Sequence, residues 1–209
     1  MRKFEILLMD EAKDFISSLP QAAAYKIYYN MKRIASGERN SELFKKLEGA
    51  EIWEFRTLYN KTNYRIFAFW DTANSRLIVA THGIVKKTQK TPSKEKQIRL
   101  MTQMHFTTLD DALDEHFGKR GTSERDKFEA DVEAAVNAYR IGEAIRNERL
   151  KQNLTQEQLG ERMGVKRAQI SRLERGLSVS IPTLGRAFKA LGITSGTLDL
   201  GLAGKVVLW

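Results

Sequence analysis

Hydrophobic and polar positions alternate at the start of the chain and then change period. Phe4, Ile6 and Leu8 recur every second residue, as in a strand, before the polar pair Asp10–Glu11 opens a helix. Pro20 stands where a second helix tolerates a missing N–H. Tyr25, Tyr28, Tyr29 and Ile34 give that helix an aromatic, apolar side, and Gly37 stops it. From Leu43 the texture is that of strands: LFKKLE, IWEFRTLYN, NYRIFAFWD and RLIVATHGIVKK, with Asn60–Lys61 and Asp71 to Ser75 as turns. A short helix is expected from about Ser93. The pattern predicts an α+β N-terminal region, with two helices on one face of a small, mostly antiparallel sheet.

The second half reads as helices. Thr108 is placed to cap TLDDALDEHFG, with Asp110 and Asp111 in its first turn. Gly118 and Gly121 interrupt the chain, and Thr122 starts a long helix whose apolar stripe is Phe128, Val132, Ala135, Val136 and Tyr139. Thr155 and Gln158 then have capping-box spacing, Leu159 and Met163 share a face, and Gly164 sits where a left-handed residue ends a helix. Val165 plugs the corner. A further helix from about Lys166 hides Ile170 and Leu173 and presents Arg167, Ala168, Ser171, Arg172 and Arg175, with Gln169 at the margin. The closing GKVVLW, Gly204 to Trp209, is apolar and strand-like, and suits a terminal strand or a dimer contact.

Composition narrows the chemistry. The 209 residues include no cysteine, which removes disulfides, thiolate zinc sites and thiol nucleophiles, and three scattered histidines make no metal cluster. No apolar run approaches a membrane span and no signal pattern is visible, so a cytoplasmic protein with no membrane partner is expected. The formal charge of +9 favours a polyanionic partner. Residues 1–100 carry 19 basic and 11 acidic side chains, 108–134 are net negative by five, and 140–190 are net positive by six. An acidic segment thus lies between two basic ones.

Two short helices with an inward apolar face and an outward display of Arg, Gln and Ser are suited to a major groove. The stretch LTQEQLGERMGVKRAQISRLERG resembles the helix-turn-helix of the Xre/Cro family of phage-type repressors, a likeness extending over roughly Ile141 to Leu198. The resemblance implies operator DNA as partner and a homodimer on paired half-sites. Gln156 would touch a phosphate or a base, and Lys166, Arg167, Gln169, Ser171 and Arg172 would face base edges and flanking phosphates. The plainer alternative is an amphipathic helix pair with a solvated basic face.

In the first hundred residues the candidate chemistry is cationic. Lys45, Lys46, Arg56, Arg65, Lys86 and Lys87 fall on consecutive strands or their ends, and Arg56 and Arg65 interrupt otherwise apolar strands. Gathered on one face, they would grip a phosphate; dispersed, they are ordinary surface charges. The order of elements, with KKL, WEFR, YRIF and HGIVKKTQKTP, resembles the RelE/HigB family of ribosome-dependent messenger RNA endonuclease toxins. The resemblance implies metal-free, cofactor-free cleavage, in which the ribose 2′-hydroxyl attacks the adjacent phosphate and basic side chains stabilise the transition state. Arg56 and Arg65 would then clamp the scissile phosphate with help from Lys46. Lys86 or Lys87 would serve as stabiliser or proton carrier. His82 is either a general acid or base, or a strand histidine whose ring nitrogen a neighbour satisfies.

The segment between these regions has no Gly/Ser-rich or Pro-rich linker, and Met101 and Met104 resemble former start codons. Residues from Thr108 to Tyr139 resemble the N-terminal part of HigA-type antitoxins. The organisation expected is a toxin-like domain at 1–101, an acidic helical antitoxin segment at 102–137 and a helix-turn-helix domain at 138–209. The acidic helices are expected to pack on the basic first domain and cover its cations. A tether of this kind sets an effective concentration on the order of millimolar. The leading expectation is a fused toxin–antitoxin protein with ribosome and messenger RNA as partners of its first domain. The alternative is a repressor whose toxin-like domain is inactive.

Overall fold

The computed structural model describes residues 4–71, 77–86, 105–199 and 201–208. The chain divides into two compact units, Met1–Glu133 and Ala134–Trp209. The helix expected from Ser93, together with Lys87, Met101 and Met104, lies outside the described residues.

In the first unit β1 (Glu5–Met9) leads into α1 (Asp10–Ser17) and α2 (Gln21–Ala35). Four strands follow: β2 (Phe44–Lys46), β3 (Trp53–Tyr59), β4 (Thr62–Trp70) and β5 (Leu77–Lys86). β2 to β5 pair antiparallel in order, and β1 lies parallel to β5. The predicted α+β architecture is present. A sixth strand, β6 (Phe106–Thr108), completes the order β2-β3-β4-β5-β1-β6 by pairing antiparallel with β1. Three residues are too few for a period-2 pattern to reveal, so this strand has no clear signal in the sequence. It covers the hydrogen-bonding edge that β1 would otherwise present.

Strand alternation decides which side chains meet the helices. Asn30 of α2 donates to the Thr57 hydroxyl (3.0 Å), so Thr57 and the residues sharing its face, Phe55, Tyr64 and Ile66, point to the helices. Phe15 of α1 lies against Gly83 of β5 on the same side. Ile16, Ile27, Met31, Phe55 and Ile66 are buried in that core. Glu54, Arg56, Arg65 and Phe67 therefore belong to the other face of the sheet.

After β6 come α3 (Leu109–Phe117), capped by Thr108 as expected, and α4 (Ser123–Lys151). α4 runs unbroken for 29 residues through position 134, where the units divide. It carries no proline, and its one glycine, Gly142, lies where a Cβ would sit 2.4 Å from the Glu174 carbonyl oxygen. The missing side chain there serves close packing rather than a helix break.

The second unit packs the end of α4 with α5 (Gln156–Met163), α6 (Arg167–Glu174) and α7 (Ile181–Ala190). Ile145, Leu159, Ile170, Leu173, Ala187 and Leu191 form its core, with Val165 and Met163 against them. A two-stranded hairpin, β7 (Thr197–Asp199) and β8 (Lys205–Val207), follows. Among the described residues, no helix is long and apolar enough to cross a membrane.

Candidate functional site

Arg56 and Arg65 are register partners across β3 and β4, so two guanidinium groups share one face at the closest cross-strand spacing. Like charges so placed repel. Glu54, two residues before Arg56 and hence on the same face, offsets this. Its Oε1 lies 3.2 Å from Arg56 Nε and 3.5 Å from Arg65 Nε. Glu54 and Arg65 are buried, whereas the Arg56 side chain is 34% exposed. Arg65 Nη1 also donates to the Tyr64 carbonyl oxygen (2.9 Å). Burial pushes the Arg65 guanidinium below its ordinary pKa, Glu54 opposes that shift, and Arg56 adds to it. Glu54 was not among the residues singled out from sequence. The E-x-R spacing in WEFR, read with period-2 alternation, is the signal that finds it.

His82 is the register partner of Phe67, on the arginine face, with ring centroids 5.0 Å apart. The Thr81 hydroxyl donates to the Phe67 carbonyl oxygen (3.1 Å) and lies 2.9 Å from His82 Nδ1. Its one proton is thereby used, so Nδ1 carries the imidazole proton in the neutral ring and Nε2 is the acceptor. A ring nitrogen satisfied by a neighbour, one of the two readings of His82, is thus present. The irregularity at Phe67–Ala68 inserts Thr81 at this point, a bulge beside the arginines.

The remaining lysines separate. Lys46 is opposite Trp53 and so lies on the face away from Arg56 and Arg65, where it pairs with Glu51 at 2.7 Å. Lys45, opposite Glu54, takes the arginine side. Lys86 ends β5 as register partner of Asn63, and Lys87 lies outside the described residues.

Among the described residues, the acidic segment packs on the basic N-terminal region through that region's helices and not over the arginines. Glu115 pairs with Lys13 of α1 (2.6 Å), Asp110 and Glu129 both pair with Lys32 of α2, and Tyr25 donates to Asp131 (2.8 Å). Phe117 and Phe128, ring centroids 4.6 Å apart, both meet the Tyr25 ring edge-on. Apolar contact sets this choice of face, since the aromatic side of α2 is the complement to the stripe on α3 and α4. The expectation that the segment covers Arg56 and Arg65 is corrected accordingly. Burial and the bond to Asp131 push the Tyr25 hydroxyl up to about 12.

In the second unit Thr155 and Gln158 close a capping box, and Gly164 ends α5 at φ +66°. Lys166, Arg167, Gln169 and Arg172 are exposed and Ser171 is half-buried, on the side of α6 away from buried Ile170 and Leu173. The Gln169 side-chain oxygen accepts from the Lys166 backbone N–H (3.1 Å), which orients its NH2 group as donor. Gln156 is turned inward. It donates to Glu174 (2.8 Å), which Arg149 also grips at 2.5 and 3.1 Å. Gln156 therefore braces the start of α5 against the end of α6.

The chain thus joins a small α+β domain bearing a paired-arginine face to a helix-turn-helix domain. Residues 14–101 match the family described as Phage derived protein Gp49-like, and residues 145–198 match the family described as Helix-turn-helix. No curated protein and no solved structure matches the chain.

Proposed function

We propose that the chain is a fused toxin–antitoxin protein. In this reading its Gp49-like domain cleaves messenger RNA on the ribosome, residues 105–133 restrain that domain in cis, and its helix-turn-helix represses transcription from an operator. The observation that carries the nuclease half is Arg56 opposite Arg65 on neighbouring strands, with His82 on the same face. Two guanidinium forks at one spot suit the dianionic phosphorane formed when a ribose 2′-hydroxyl attacks its phosphate. His82 Nε2 accepts the 2′-hydroxyl proton as that oxygen bonds to phosphorus. The bond to the 5′-oxygen then breaks to leave a cyclic phosphate, and the departing 5′-oxygen takes the proton back from His82. Lys45 supplies long-range positive charge from the edge strand.

Restraint in cis acts through α1, α2 and the β1 edge, which α3, α4 and β6 occupy, by denying those surfaces to the ribosome. In the second unit α6 reads operator DNA, and two copies read paired half-sites. The β7–β8 hairpin offers a contact for the second copy, since Val206 and Val207 are exposed on it.

Expression of residues 1–104 tests the nuclease half. Growth arrest with cleaved messages, abolished by Arg65→Ala, is expected; no arrest and no cleavage would leave the second reading. That reading is a DNA-binding repressor whose first domain is inactive, and it is favoured by the contact of Glu54 with both guanidinium groups.

A further inference from the structure

Three buried side-chain atoms without a hydrogen-bond partner belong to one small cluster: Glu54 Oε2, Arg56 Nε and Arg65 Nε. Such atoms are rare in folded proteins, and each calls for an explanation. Both arginine Nε atoms face Glu54 Oε1 at ion-pair distance without making a directed hydrogen bond, so the carboxylate neutralises them but fits them poorly. Here Glu54 offers the same oxygen to both forks and leaves Oε2 without a partner, so one planar carboxylate serves the two poorly. A tetrahedral phosphate can serve both. The three side chains together carry one net positive charge, which matches one phosphodiester.

We propose that Glu54 is a resident counter-ion which an RNA phosphodiester displaces from Arg56 and Arg65. The carboxylate holds the two guanidinium groups side by side against their repulsion, and yields them to a better-fitting oxyanion. Arg56, one third exposed, is the point of entry, and buried Arg65 is engaged second. Glu54 thus positions the clamp and weakens its resting affinity for anions. This rests on the reading of the arginine pair as the phosphate clamp.

The full-length chain is titrated with inorganic phosphate at fixed ionic strength, following the arginine Nε–Hε resonances by NMR. Glu54→Gln keeps the shape and removes the charge, and it is expected to bind phosphate about tenfold more tightly or better. Adding Arg56→Ala to that variant should abolish the gain, which separates this site from phosphate binding on the helix-turn-helix. Equal or weaker binding by Glu54→Gln overturns the proposal. If that variant does not fold, the wild type decides. Both Nε–Hε resonances must move with one dissociation constant, and movement of Arg56 alone overturns it. No RNA cleavage is read here, so tighter phosphate binding in a chain that never cuts RNA would sink the nuclease and leave the counter-ion role standing.

Discussion

Lys32 of α2 and Arg125 of α4 are held by the same two carboxylates, Asp110 and Glu129. Arg125 is fully buried and lies 3.2 Å from Asp110, 3.0 Å from Glu129 and 2.5 Å from Asp114. The acidic helices are therefore not merely attracted to a basic surface. They bring their own cation, which organises the carboxylates that bind Lys32.

Replacing Arg125 with methionine leaves three carboxylates crowded together with only Lys32 and the exposed Arg120 to balance them. A loss of about 3 kcal/mol is expected, at the low end for a broken buried pair because the acidic partners are partly exposed. Urea unfolding measures it. Hydrogen exchange should show faster opening of α3 than of β3 and β4, and uniform protection would contradict this account.

His116 gives the same contact a pH dependence. Its ring packs 5.2 Å from Tyr28, its Nε2 is buried without a partner, and burial holds its pKa below the ordinary 6.5, with Glu124 opposing. The unfolded chain then takes up a proton before the folded one. Stability from this group is complete above about pH 6.5 and is lost as pH falls from there toward the depressed folded value. His116→Gln should flatten that part of a stability-against-pH curve. Asp110, held below its ordinary value by Lys32, Arg120 and Arg125 against burial, acts in a lower window, losing its contribution as pH falls below about 4. An unchanged slope between pH 6.5 and 5 in the variant would refute the assignment to His116.

On operator DNA, Gln169→Ala and Arg172→Ala are each expected to cost about 1–3 kcal/mol and to relax base preference. Lys166→Ala should weaken all sequences alike and lower the salt slope by about one. Gln156→Ala behaves differently. Its amide serves Glu174, so thermal stability should fall while the affinity of the folded protein changes little. Fluorescence anisotropy and a melting curve separate the two effects.

The lysines of β2 test the sheet's two faces. Lys45→Ala should reduce RNA cleavage by the 1–104 fragment several-fold, whereas Lys46→Ala, on the opposite face and paired with Glu51, should leave it near the parent level. A larger effect from Lys46 would require another geometry around the arginines.

Much of the fold was legible because its elements carry local signals. Alternation marked β3, β4 and β5, and Thr155, Gln158 and Gly164 announced the helix pair through caps that depend on a few adjacent residues. The candidate site was half legible. Arg56 and Arg65 stood out as charges in apolar strands, but their partnership with Glu54 depends on register, and the separation of Lys45 from Lys46 depends on strand parity. A shift of one residue would exchange the two lysines.

The sequence by itself determined the α+β and helical halves, the caps, the acidic and basic segments and the outward face of α6, because each is written in neighbours a few positions apart. Tertiary structure alone decided that Arg56 meets Arg65, that β6 closes the edge of β1, and that the acidic helices settle on Tyr25 and Lys32 and not on the arginines. Those outcomes depend on which surfaces fit when residues tens of positions apart are brought together. Net charge draws the acidic helices toward the basic domain, but aromatic packing chooses the face on which they come to rest.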